Sequence, residues 1–281
     1  MMKNLLAVIG DGNAGPVLEA SLKVARLFDS HIVGLHSLTT EYAVVFGGEM
    51  GFSISSEVDR TLEREGQDRR EQARALFSAF MRQHGISLGG AGGDGPSAEW
   101  REESGRQNAV VGTLGRVFDL IIVERPSKLA SLAEATLEDA LFESGRPVLM
   151  APPTPLATIG ERVLVAWNGS TETARTLAFA MPFLKRAESV QVVSVEGGMT
   201  PGPSSESLAA MLSRHGIAAI ARHVTGRGRT PGEVYLDEAR AIGADLMVKG
   251  AYTQSRLRQM IFGGATRHII MEATMPVILA H

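Results

Sequence analysis

The sequence predicts an α/β protein built as a tandem repeat of two units, each with a parallel sheet. Three observations lead there. Short apolar runs alternate with amphipathic stretches through both halves of the 281-residue chain, the pattern of βαβ units. Segments of the first half recur in the same order in the second. Pro152-Pro-Thr-Pro155 lies between them and reads as an extended linker without helix.

The repeat is visible segment by segment. Leu5-Leu-Ala-Val-Ile-Gly-Asp11-Gly12-Asn13 matches Arg162-Val-Leu-Val-Ala-Trp-Asn168-Gly169-Ser170, and His31-Ile-Val-Gly-Leu-His36 matches Ser189-Val-Gln-Val-Val-Ser194. Asp119-Leu-Ile-Ile-Val123 matches Asp245-Leu-Met-Val-Lys249, and Arg146-Pro-Val-Leu-Met-Ala151 matches Met275-Pro-Val-Ile-Leu-Ala280. The offset shrinks along the chain, so the first half carries roughly thirty extra residues. The expected units are residues 1–151, with an insertion near 40–85, and 161–281.

In the second half the pattern predicts strands at 162–167, 189–195, 219–224, 245–249 and 276–280. Helices fall at 171–185, 203–215, 231–242 and 264–273. Pro231 followed by Glu233 marks a helix start, because proline needs no donor in the first turn. Gly243 marks a helix stop. In the first half, Thr39 to Ser56 is glycine-rich with Tyr42, Phe46 and Phe52, and reads as an ordered loop or lid. Glu57 to Glu71 holds six acidic and four basic residues, which suits a solvated helix face; Ala73 to Met81 supplies its buried stripe.

Composition narrows the function. Charge is balanced, 28 Lys+Arg against 31 Asp+Glu, which argues against nucleic acid as main partner. No apolar run approaches the ~20 residues of a membrane span. Cysteine is absent, so disulfides, thiolate nucleophiles and Cys-ligated zinc are excluded. The N-terminus lacks the pattern of a signal peptide, and the expectation is a soluble cytoplasmic protein. The seven histidines make no H-x3-H or H-E-x-x-H pair, so no metal site is expected. His36 reads as a satisfied structural histidine. Ser37 and Ser170 have no G-x-S-x-G elbow around them, and no catalytic residue is assigned.

Two glycine loops follow strands. Gly10-Asp-Gly12-Asn-Ala-Gly15 fits G-x-G-x-x-G, but the second strand ends His36-Ser37-Leu38 with no acid to hold a ribose. A tight strand-to-helix turn is the preferred reading. The second loop runs from Gly250 through Thr253 to Gly263 and Gly264. Glycine at a strand end permits positive φ and close ligand approach. Glycines opening a helix expose N–H groups that bind an anion, helped by the helix dipole. Thr266 adds a hydroxyl, and Arg256 and Arg258 add positive charge. Arg227 and Arg229, after the third strand, are a second candidate phosphate contact. Lys249 reads as a solvated lysine or as a residue directed at a phosphate. No Walker-type G-x-x-x-x-G-K-[ST] occurs.

These segments resemble the universal stress protein family, in its tandem two-domain form. The family loop has the pattern G-x2-G-x9-G-[ST], and this chain has Gly250-x2-Thr253-x9-Gly263-Gly264. The turn Val165-Ala-Trp-Asn168-Gly-Ser170, the ending Met275-Pro-Val-Ile-Leu-Ala280, Asp11-Gly12 and Asp119-Leu-Ile-Ile-Val123 agree as well. The resemblance implies a doubly wound, parallel, five-stranded sheet, a Rossmann-like fold of the adenine nucleotide alpha hydrolase-like kind, used twice. It implies a stress-response or signalling module that takes an adenine nucleotide (ATP, ADP or AMP) in its C-terminal domain, and leaves a magnesium ion open. Asn168 and Ser170 would meet the ribose side and Val195 the adenine. Gly250, Thr253, Gly263, Gly264, Ala265 and Thr266 would surround the phosphates. The last strands of the two domains would pair with each other through Pro147–Ala151 and Pro276–Ala280, an internal pseudo-dimer; a homodimer and an unidentified protein partner are left open.

The chain departs from the family pattern at several positions. After Val123 the first half has Glu124 and no glycine before Gly145, so its phosphate cradle is lost. In the second half Asn168 replaces the usual aspartate and Gly264 the usual hydroxyl residue. Thr253 stands where glycine is expected; positive φ at a β-branched residue would cost on the order of 1–2 kcal/mol or more. The alternatives are therefore a nucleotide-free protein-interaction module and a slow ATPase.

Overall fold

The computed structural model describes residues 2–10, 14–38, 56–89, 95–127, 131–251 and 264–281. The expected loop or lid at 39–55 lies outside them, as do Asp11, Gly12 and Asn13, and Thr253, Arg256, Arg258 and Gly263.

The first half runs β1 (Asn4–Val8), α1 (Gly15–Phe28), β2 (His31–Leu38), α2 (Ser56–Gln83), β3 (Ser87–Leu88), β4 (Ser97–Ser104), α3 (Gln107–Leu114), β5 (Leu120–Glu124), α4 (Leu132–Glu143) and β6 (Val148–Ala151). The second half runs β7 (Arg162–Ala166), α5 (Thr171–Leu184), β8 (Ser189–Val195), α6 (Ser205–Arg214), β9 (Ala219–Val224), α7 (Pro231–Ala241), β10 (Leu246–Gly250), α8 (Ala265–Glu272) and β11 (Val277–Ala280). Every second-half element expected from the pattern is present, with ends shifted by no more than two residues.

The strand order is β3-β4-β2-β1-β5-β6-β11-β10-β7-β8-β9 in one eleven-stranded sheet, where two separate five-stranded sheets were expected. The seam is the antiparallel pair β6–β11, with Leu149 opposite Ile278; the other pairings are parallel. Pairing β6 with β11 satisfies two edges that would otherwise expose unpaired backbone groups. The first half also has six strands, because the two-residue β3 adds to β4.

Helices cover both faces, which is why the central strands are continuous apolar runs. On one face lie the buried residues of α1 (Val17, Leu18), α2 (Phe77, Met81), α5 (Leu177) and α6 (Leu208). On the other lie those of α3 (Val111), α4 (Leu137), α7 (Val234) and α8 (Ile269). The helix starts carry N-caps. Ser131, Ser170 and Ser204 cap α4, α5 and α6 by accepting from the amide three residues on. At α7 the Thr230 hydroxyl accepts from the Glu233 amide and the Glu233 carboxylate accepts from the Thr230 amide, a capping box ahead of Pro231. Gly243 stops α7 with φ +60°.

The repeat extends to side chains. Asp119 accepts from the backbone N–H of Lys3 and Asn4, at 2.7 and 3.0 Å, tying the start of β5 to that of β1. Its repeat partner Asp245 accepts from the N–H of Gly160, Glu161 and Arg162 at 2.9–3.1 Å and from the Thr158 hydroxyl at 2.5 Å. The proline-rich linker has no helix or strand, as expected. It is fastened at Thr154 to the Thr274 carbonyl (3.0 Å) and at Leu156 to the Glu19 carboxylate (3.3 Å). His36 is buried with Nδ1 2.9 Å from the Ile9 carbonyl, the satisfied structural histidine expected.

Candidate functional site

In the second half β7 pairs with β8 on one side and β10 on the other, so the chain winds away in opposite directions from their common end. In such sheets the usual ligand position is a crevice at that reversal, outside the carboxyl ends of the strands. Its walls are the turn after β7, the end of β10, and the first turns of α5 and α8.

The turn after β7 is tightly bonded. The Asn168 side-chain oxygen accepts from the Ser170 amide at 3.2 Å and the Thr173 hydroxyl at 2.6 Å. The Ser170 hydroxyl accepts from the Thr173 amide at 3.2 Å. Gly169 has φ +80°, a conformation side chains rarely adopt. Thr200, in the loop after β8, donates to the Asn168 carbonyl through its amide (2.8 Å) and its hydroxyl (3.1 Å). A Cβ on Gly202 would meet the Gly169 carbonyl oxygen at 2.4 Å, so this loop packs directly on the turn. Beneath it, the buried Tyr235 hydroxyl donates to the Trp167 carbonyl at 3.0 Å, and burial pushes the phenol well above its ordinary range.

Gly250 has a different role from the one its position suggests. Its φ is not positive. A Cβ there would stand 2.4 Å from the Thr173 amide nitrogen, so the glycine admits the first turn of α5 against β10. Gly250 thus joins Asn168, Ser170 and Thr173 in one cluster. Val195 is fully buried at the end of β8, in the apolar cluster that holds Tyr235.

On the opposite wall, α8 opens at Gly264, whose φ of −65° and ψ of 168° place it as an N-cap with no side chain to cap the first turn. Ala265 begins the helix and Thr266 is buried within that turn. Lys249 is not solvated: it is 4% exposed. Its Nζ donates to the Gly250 carbonyl at 2.8 Å and to the Thr266 hydroxyl oxygen at 3.0 Å. Burial pushes its ammonium down to about 8, against the pull of the Glu172 carboxylate. Burial raises the Glu172 carboxyl, but hydrogen bonds from its own amide, Thr171 and Ser170, with the charge of His281, bring it net below the ordinary range. Glu172 Oε2 is buried with no hydrogen-bond partner among the described residues.

The structure therefore brings together Asn168, Ser170 and Gly250, and sets Gly264, Ala265 and Thr266 across from them. Lys249 links the two groups through Gly250 and Thr266. The reading of Lys249 as solvated fails because β10 is a central strand covered on both faces. Thr173, Thr200 and Glu172 were not anticipated; their signal is tertiary, since only the fold places them beside Asn168 and Gly250. Arg229 is paired with Asp237 of α7, and Arg227 has φ +48° in the preceding turn.

The matching position of the first half holds a small cavity. Glu124, Gln107, Thr136 and Gly10 help line a cavity of about 10 Å³, room for about one water. Gln107 donates to the Thr136 hydroxyl at 3.2 Å, and burial raises the Glu124 carboxyl. Among the described residues no cluster of three or more His, Asp or Glu could hold a metal, and no helix is long and apolar enough to cross a membrane.

Comparison with known proteins agrees with this architecture. A universal stress protein from Archaeoglobus fulgidus DSM 4304 superposes with a TM-score of 0.69 at 18% identity, over 99% of this chain and 95% of its own. A functionally unknown protein from Pseudomonas aeruginosa PAO1 superposes with a TM-score of 0.54 at 16% identity, over 99% and 92%. At these identities the likeness is one of fold. No curated protein sequence matches the chain. The model of the universal stress protein family matches residues 160–281, the half that holds the β7/β10 crevice. Residues 160–281 therefore form a domain that matches the universal stress protein family.

Proposed function

We propose that the chain is a tandem stress-response module, with units 1–151 and 161–281, whose C-terminal crevice binds an adenine nucleotide (ATP, ADP or AMP). The observation that carries this reading is the opening of α8. Its first-turn N–H groups have no side-chain cap, and Thr266 and the buried Lys249 ammonium stand beside them. Helix N-terminal donors with a nearby cation suit a phosphate group. Ser170 and Asn168 would meet the sugar from the facing wall. The charge on a phosphate would be met by Lys249, beside Thr266. The first half, with Glu124 in its small cavity, acts as a structural partner.

A second reading, a nucleotide-free interaction module, has its own support. The Asn168 side-chain oxygen is used within its turn, and Thr200 and Gly202 pack over that turn. Calorimetric titration of the purified protein with ATP, ADP and AMP separates the two. Saturable binding supports the nucleotide reading. No binding at millimolar nucleotide leaves the interaction module.

A further inference from the structure

The geometry points to Lys249 as the residue that makes the C-terminal crevice select a phosphate-bearing ligand over the bare nucleoside. This rests on the nucleotide reading above and names what it would recognise.

The first argument is charge. The Lys249 side chain is enclosed in a central strand, yet among the described residues its hydrogen bonds go to neutral oxygens, the Gly250 carbonyl and the Thr266 hydroxyl. Glu172 is the acid whose charge reaches it, and Glu172 makes no ion pair with it. Enclosing an ammonium without a direct counter-ion is costly, whereas an unbranched apolar side chain of similar length would pack there without that cost. A cation kept at such a position is explained by an anion that arrives with the ligand. The neighbouring end of α8 adds partial positive charge of the same sign, because its first turn lacks a side-chain cap.

The second argument is hydrogen-bond direction. Lysine has only donors, so the Thr266 oxygen must be the acceptor in their 3.0 Å contact. The Thr266 hydrogen is then left to donate elsewhere, from the first turn of α8. Lys249 thereby presets Thr266 as a donor in the same turn as the uncapped amides. A phosphate accepts from all of these groups. A ribose or purine offers no charge to reward them.

The test is calorimetry with AMP, ADP and adenosine on wild type, Lys249→Met, Lys249→Gln and Thr266→Val, with thermal unfolding of each as a control. For Lys249→Met the expected result is a loss of AMP and ADP affinity of about tenfold or more. Adenosine affinity should stay unchanged and the melting temperature should not fall. Lys249→Gln, which keeps a donor without the charge, should lie between, and Thr266→Val should lose part of the AMP affinity. Unchanged AMP affinity in Lys249→Met overturns this inference and leaves the nucleotide reading standing. Equal losses for AMP and adenosine assign Lys249 to the architecture and also overturn it. Absence of AMP, ADP and ATP binding by the wild type overturns both.

Discussion

Gly250 and Thr173 touch through their backbones: a Cβ at position 250 would lie 2.4 Å from the Thr173 amide nitrogen and 2.6 Å from its hydroxyl oxygen. Neither neighbour can move cheaply, because Thr173 is held by Asn168 and Ser170 in the first turn of α5. Gly250→Ala should therefore cost about 2–3 kcal/mol through forced backbone displacement, with no ligand present. Urea unfolding measures this. A loss under half a kilocalorie would return the glycine to a purely ligand-related role.

This contact also shows where sequence reading reaches its limit. The apolar run Leu246-Met-Val and the following glycine predict the strand and its end, because both signals are local. Whether that glycine makes room for a ligand or for another element depends on what the fold brings against it. Lys249 behaves the same way. Its burial comes from α7 and α8 covering β10, and no periodicity within five residues reports that. The start of α7, by contrast, was readable from Pro231 and Glu233, which act within one turn; the structure adds Thr230 to complete a capping box. The seam between the halves, at Pro147–Ala151 and Pro276–Ala280, was expected from the family resemblance and not from the two segments alone. That it makes one sheet of two is a consequence of edge pairing and not of any single segment.

The buried Lys249 makes stability depend on alkaline pH in a defined direction. Its ammonium titrates at about 8 in the folded protein, against an ordinary value of 10.5. Below about 8 both folded and unfolded chains hold the proton, and the cost of burying the charge is fully present. Between about 8 and 10.5 the folded protein releases the proton first, so this contribution to stability improves as pH rises. Lys249→Met should thus be more stable than wild type at pH 7 by about 3 kcal/mol, and the difference should shrink toward pH 10. Paired urea denaturations across that range provide the measurement. A difference independent of pH would show that the lysine is not buried as an ammonium.

Asp245 and Asp119 occupy equivalent places in the repeat but hold different numbers of donors. Asp245 gathers three backbone amides and the Thr158 hydroxyl, while Asp119 gathers two backbone amides. Both carboxylates are partly accessible to solvent, which reduces what each bond contributes. Asp245→Ala should cost about 2 kcal/mol and Asp119→Ala about 1 kcal/mol. Only the former should speed proteolysis between Pro152 and Glu161, since Asp245 anchors the end of that linker. Equal effects of the two substitutions on cleavage there would contradict the assignment.

The inserted helix α2 is secured at Gly34. A Cβ at that position on β2 would fall 2.4, 2.7 and 2.9 Å from three carbons of the Phe77 ring, and the ring is fully buried. The ring cannot swing away, because Trp100 packs against it with centroids 5.4 Å apart. Gly34→Ala should destabilise by about 1–3 kcal/mol through overpacking. Phe77→Leu removes ring volume and should cost about 1–2 kcal/mol alone by leaving a void. In the double substitution the added methyl enters that void, so the combined loss should fall short of the sum by about 1 kcal/mol or more. A double-mutant cycle by chemical denaturation reads this coupling directly. Simple additivity would mean that α2 does not rest on β2 through this pair, and that the insertion is held to the sheet by other contacts.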